Sequence, residues 1–112
     1  TVVDLADDAD IDFDAGTVFN FHEDDDLAGD DFGDMSAVAA AFNTTNAGTP
    51  QNAAANQEIV FTLGNDADDE TGVYYFQDVD GNGEINSGDT IALLGVLDTD
   101  VANVTSSEFS FA

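Results

Sequence analysis

The sequence predicts a mostly β, sandwich-like single domain over residues 1–112, carrying one or two short helices. Three observations predict it. Short segments alternate apolar and polar residues with a period of two, the pattern of half-buried strands. Turn-forming Gly, Asn and Asp clusters separate them. A hydrophobic fraction of 43%, with nine Phe, gives one core and sets the chain apart from acidic disordered tails.

In chain order, Asp8, Asp10, Asp12 and Asp14 alternate with Ala9, Ile11 and Phe13. A strand there would row four carboxylates on one face and bury the other. Ala15-Gly16 reads as a turn, and residues 17–22 (TVFNFH) as a short strand with Phe19 and Phe21 on one face. Residues 23–34 (EDDDLAGDDFGD) form a dense acidic run containing Asp24, Asp26, Asp30 and Asp31; Leu27 and Phe32 are its apolar anchors. Charge runs are commonly solvated loops, and the anchors are what single this one out. Asp34 reads as a helix N-cap, followed by Met35, Val38, Ala39 and Phe42 at helical spacing, a core stripe. Residues 43–56 read as a polar linker with the only proline, Pro50, and room for one helical turn after it. Residues 58–63 (EIVFTL) and 73–77 (VYYFQ) are strands, with residues 65–72 the acidic loop between them. Residues 90–96 (TIALLGV) suit a strand, though a short helix fits the same run. Residues 98–104 suit a capped helical turn. Residues 108–112 (EFSFA) end the chain as a strand with Phe109 and Phe111 inward.

Charge narrows function. There are 25 acidic residues and no Lys or Arg, a formal charge of −25. About a dozen basic residues would be ordinary at this length. No carboxylate has a side-chain salt-bridge partner from Lys or Arg, so repulsion must be relieved by solvent, salt, bound cations or protonation. Nucleic acids and anionic lipid surfaces are excluded as partners on the same grounds. There is no Cys, hence no disulfide or thiolate site. The longest fully apolar run, residues 37–42, is far short of a membrane span, so no membrane insertion is expected. The segment TVVDLADDAD lacks the basic and apolar regions of a cleavable signal peptide.

The most specific motif is QDVDGNGEINSGD, residues 77–89. It follows the calcium-loop pattern D-x-[DN]-x-[DN]-G-x₅-E. Asp78, Asp80 and Asn82 take positions 1, 3 and 5, and Gly83 takes the sharp turn at position 6. Glu84 offers its carbonyl at position 7, Ile85 is the apolar anchor at 8, Asn86 stands at 9 and Asp89 at 12. Oxygens at alternate positions converge because the loop wraps, and Ca²⁺ takes six to eight of them. Asp89 departs from the usual Glu; one methylene fewer shortens its reach and weakens affinity. The flanking VYYFQ is no entering helix. The competing reading is a hairpin turn that favours Gly, Asn and Asp regardless of metal. The acidic row (Asp8, Asp10, Asp12, Asp14) and the acidic run (Asp24, Asp26, Asp30, Asp31) are weaker candidate ligands. At three or four carboxylates per ion, 25 acids would serve about six to eight ions. His22, the only imidazole, cannot build a zinc site alone. No nucleophile constellation accompanies it, so no enzyme is expected.

Residues 62–111 resemble the C-terminal secretion domain of type I-exported bacterial proteins of the RTX class. The likeness rests on the aromatic GVYYF, the Asp/Gly/Asn-rich turn, DTIALLGV and the ending VTSSEFSF. DADIDFDAGTVFNF and SAVAAAFN resemble the region upstream. The loop DVDGNGEINSGD also resembles dockerin calcium loops, without a second repeat. The resemblance implies export by an uncleaved C-terminal signal and folding outside the cell on calcium. The G-G-x-G-x-D repeats of RTX β-rolls are missing, so no β-roll is expected. The expectation is an extracellular or cell-surface, calcium-stabilised structural protein, polymerising through calcium and strand contacts into a filament or surface layer. Residues 1–13 would supply that contact, with Val2, Val3, Leu5, Ile11 and Phe13 filling a neighbour's groove. The alternatives are a monomeric secretion module of a larger exported protein, or a halophilic binding domain.

Overall fold

The computed structural model describes residues 2–5, 11–14, 16, 18–21, 27, 31–45, 52–64, 70–86 and 88–98. Among these residues, five strands form one sheet: β1 (Val2–Leu5), β2 (Val18–Phe21), β3 (Gln57–Gly64), β4 (Thr71–Asp78) and β5 (Thr90–Leu97). Their spatial order is their chain order. β1, β2 and β3 run parallel, and β4 and β5 continue antiparallel. Parallel neighbours need crossovers. The β2–β3 crossover contains a 3₁₀ turn (Asp31–Gly33) and the helix α1 (Met35–Thr45).

The mostly β class predicted from alternation is what the chain adopts, with one helix among the described residues. β3 turns Ile59, Phe61 and Leu63 into the core, and β4 adds Tyr74 and Phe76. α1 starts where Asp34 caps it: its carboxylate accepts the N–H groups of Ser36 (3.1 Å) and Ala37 (3.2 Å). Val38 and Phe42 of the helix are fully buried. The Phe42 ring sits 4.6 Å from Phe61 and 5.4 Å from Phe76, and Phe61 stacks on Tyr74 at 5.2 Å. Tilted and stacked rings at these distances each add about 0.5–1.5 kcal/mol beyond burial. The Tyr74 hydroxyl donates to the Phe32 carbonyl (2.9 Å), so its burial leaves no orphaned donor.

Three expectations are corrected. The strand expected over residues 8–14 is, among its described residues, a single bridge at Asp12 followed by a turn. Two contacts from distant residues hold it so: Asn52 donates to Asp12 (2.8 Å) and Gln57 to the Phe13 carbonyl (2.8 Å). The linker expected from residue 43 begins later, because Asn43, Thr44 and Thr45 belong to α1. The residues expected to fill a neighbour's groove serve this chain: β1 pairs with β2, Val3 packs on the core, and Ile11 and Phe13 are buried in it. The terminal strand (108–112), the helical turn (98–104, beyond Asp98) and His22 lie outside the described residues. Among the described residues no helix is long and apolar enough to cross a membrane.

Candidate metal centre

Residues 78–89 join the end of β4 to the start of β5. Asp78 is the last residue of β4 and is fully buried; Asp89 immediately precedes β5 and is half-buried; Asp80 is exposed. One carboxylate oxygen from each lies within 4.8 Å of the others. Two oxygens bound to one Ca²⁺ at about 2.3–2.6 Å stand at most about 5.2 Å apart, so this spread fits a single ion.

The loop's own hydrogen bonds aim these groups. Asp78 accepts the Gly81 N–H through Oδ1 (3.0 Å) and the Gly83 N–H through Oδ2 (2.6 Å). Asp89 accepts the N–H groups of Val79 (2.8 Å) and Asn86 (2.9 Å), tying the two ends of the loop together. Asp80 accepts the Asn82 N–H (3.3 Å), and Asn82 the Glu84 N–H (3.0 Å). The Asn82 amide donates to Asn86 Oδ1 (2.8 Å). Each carboxylate oxygen keeps a further lone pair for a cation. Gly83 has φ 79°, the left-handed conformation that position 6 demands and glycine takes without strain. Gly81 has φ 74°, and a Cβ there would meet the Ala55 backbone nitrogen at 2.7 Å.

The loop is anchored in the fold. Ile85 is buried in the core. Its N–H donates to Asn43 Oδ1 (2.9 Å), and its carbonyl accepts from Asn43 Nδ2 (3.1 Å). The Asp78 carbonyl accepts the Asn56 N–H (2.7 Å). Asn43 lay in the expected linker, and its sequence separation of 42 residues from Ile85 gave no local sign of the contact.

Electrostatics make the cluster costly without a cation. Burial pushes the Asp78 carboxyl above its ordinary range, and Asp80 and Asp89 push the same way; the Gly83 and Gly81 N–H groups pull it back. No Lys or Arg exists to neutralise it. A hard dication would, through an all-oxygen donor set: the carboxylates of Asp78, Asp80 and Asp89, with the Asn82 and Asn86 side-chain oxygens and the Glu84 carbonyl from the same loop.

Among the other candidate ligands, those that are described are not assembled this way. Asp12 is held by Asn52 first and by the Asp14 N–H (3.0 Å) second, both lowering its pKa. Asp14 is exposed. Asp31 is half-buried in the 3₁₀ turn, its carbonyl accepting the Asp34 N–H (3.0 Å). Asp8, Asp10, Asp24, Asp26 and Asp30 lie outside the described residues. Among the described residues, Asp78, Asp80 and Asp89 are the one converging acidic group. No protein-family profile, curated protein or solved structure matches the chain.

Proposed function

We propose that this is a calcium-stabilised structural domain that acts outside the cell and self-associates there, in a filament or surface layer. The observation that carries it is the wrapped loop between β4 and β5. A fully buried carboxylate, Asp78, meets two others in calcium-loop register, in a chain without Lys or Arg. With Asp rather than Glu at position 12, affinity falls toward that of extracellular modules, on the order of 10⁻⁴–10⁻³ M. Such a site fills only where calcium is millimolar. Export by a type I route, implied by the resemblance of residues 62–111, is consistent with that setting. The reading assigns no catalytic role.

Thermal melts and calorimetric titration test it. Calcium at about 10 times its Kd stabilises by about 1.4 kcal/mol. At about 2.1 cal/mol/K per residue, 112 residues convert that to about 6 °C. Equal melting temperatures in calcium and chelator, at the same low ionic strength, would overturn the reading. Stabilisation by sodium chloride alone would favour the halophilic alternative.

A further inference from the structure

We propose that Asn82 is a self-modification site: its side chain closes on the Gly83 nitrogen, and the buried Asp78 carboxylate keeps that reaction shut while the loop is folded. This site goes beyond the calcium reading and needs no bound ion. Of the nine Asn residues, Asn82 alone precedes a glycine, and Asp80 is the one acidic residue that does. Asn is a thermolabile side chain. A following glycine leaves the attacking nitrogen open, because no Cβ stands beside it. Asn82 is exposed, so water reaches it, whereas Gly83 is buried. The step balances with water as co-reactant. The Gly83 nitrogen gives up its proton and attacks Asn82 Cγ. The N–Cγ bond forms, the Cγ–Nδ2 bond breaks, and Nδ2 takes up a proton and leaves as ammonia. Water then opens the cyclic imide at either carbonyl, giving aspartate or isoaspartate at position 82.

The folded loop restrains each group that this step needs. The Gly83 N–H donates to Asp78 Oδ2 (2.6 Å) and the Gly81 N–H to Asp78 Oδ1 (3.0 Å). One carboxylate therefore caps both susceptible peptides, Asn82–Gly83 and Asp80–Gly81. A proton leaving the Gly83 nitrogen would set a second negative charge against a fully buried carboxylate, in a chain with no Lys or Arg. The Asn82 carboxamide is tethered as well. Its Oδ1 accepts the Glu84 N–H (3.0 Å), and its Nδ2 donates to Asn86 Oδ1 (2.8 Å). Closing the ring moves that carboxamide, so both bonds must break. Reaction therefore waits on local opening of the loop. Once made, the change holds the loop open. Either product removes the Nδ2 donor to Asn86 and adds a negative charge near Asp78, Asp80 and Asp89. Isoaspartate also inserts the residue's Cβ into the main chain, which carries the Gly83 N–H away from Asp78.

Mass spectrometry of the intact chain, stored in chelator below its melting temperature, tests this. A glutamate-specific protease releases residues 71–84, which carry Asn82. The urea-unfolded chain should convert Asn82 to aspartate and isoaspartate, and the folded chain should do so at least about tenfold more slowly. Asp78→Ala should quicken conversion in the folded chain about tenfold or more, because two charge-assisted hydrogen bonds go with it. Val38→Ala, a core change outside the loop, should leave the Asn82 rate near the parent's while the chain stays folded. Equal rates in the folded and unfolded parent overturn the proposal. So does a Val38→Ala chain that converts as fast as Asp78→Ala, which would assign the protection to overall stability. If Asp78→Ala does not fold, hydrogen exchange in the parent decides. The Gly81 and Gly83 N–H groups should then exchange at least about tenfold more slowly than in the unfolded chain; a Gly83 N–H that exchanges as freely as in the unfolded chain overturns the proposal. Every arm runs in chelator, so the calcium reading stands or falls separately.

Discussion

Replacing Asn43 with Ala tests how tightly the loop between β4 and β5 is tied to the core. The Asn43 amide makes two hydrogen bonds to the Ile85 backbone, at 2.9 and 3.1 Å. Removing both costs about 1 kcal/mol net each. It also leaves the Ile85 N–H and C=O without that partner, which costs more where water cannot reach. Both bonds are part-buried, so the sum should be about 2–3 kcal/mol, less a few tenths for the better helix propensity of Ala. That is about 10 °C in melting temperature for 112 residues. A loop no longer held in place must be ordered when the ion binds. If half the loss moves to binding, Kd rises about tenfold, since each 1.4 kcal/mol is a factor of ten. Asn43→Asp keeps the acceptor for the Ile85 N–H and loses the donor, so it should fall between. Urea unfolding in chelator and in calcium, with calorimetric titration, reads both effects. Parental stability and affinity in Asn43→Ala would refute the reasoning.

The other expected outcomes concern the site's charge and backbone. Asp78→Asn should weaken calcium binding by an order of magnitude or more and cost less stability in chelator than in calcium, because it removes a buried negative charge facing Asp80 and Asp89 but leaves either the Gly81 or the Gly83 N–H without its acceptor; urea midpoints in both conditions decide it. The raised pKa of Asp78 means that, without metal, its contribution to stability is fully present below the unfolded value near 3.8 and is lost as pH rises through the folded value. Calcium needs the ionised form, so the stabilisation it gives should grow with pH over that same window. Midpoints measured against pH, with and without calcium, check both slopes. Gly83→Ala forces a side chain into φ 79° and should cost about 1–2 kcal/mol with a matching loss of affinity; circular dichroism melts and calcium titration measure it.

The loop was legible because its candidate ligands lie within twelve consecutive residues, so spacing alone reports their convergence. β4 was legible because it has a buried and a less buried face, and β3 because Ile59, Phe61 and Leu63 alternate into the core. α1 announced itself through Asp34 and the stripe ending at Phe42. What escaped was set by partners distant in sequence. Four residues, VVDL, carry too little pattern to reveal β1, which exists by pairing with β2. The Asp alternation suggested a strand over residues 8–14, but Asn52 and Gln57 hold Asp12 and Phe13 otherwise. β5 alternates poorly because both of its faces are largely exposed, and hence a helix competed for it.

Charge alone does not explain the loop's place in the fold. One Ca²⁺ offsets two of the chain's 25 negative charges, and any exposed acidic run could bind a counterion loosely. Position is what separates this site. Asp78 closes β4, Asp89 opens β5, Ile85 enters the core between them, and Asn43 links that residue to α1. An ion held by Asp78 and Asp89 would therefore fasten two neighbouring strands, β4 and β5. Its binding energy would be realised only when strand register and helix position are native, so it would add to folding stability rather than to local neutralisation.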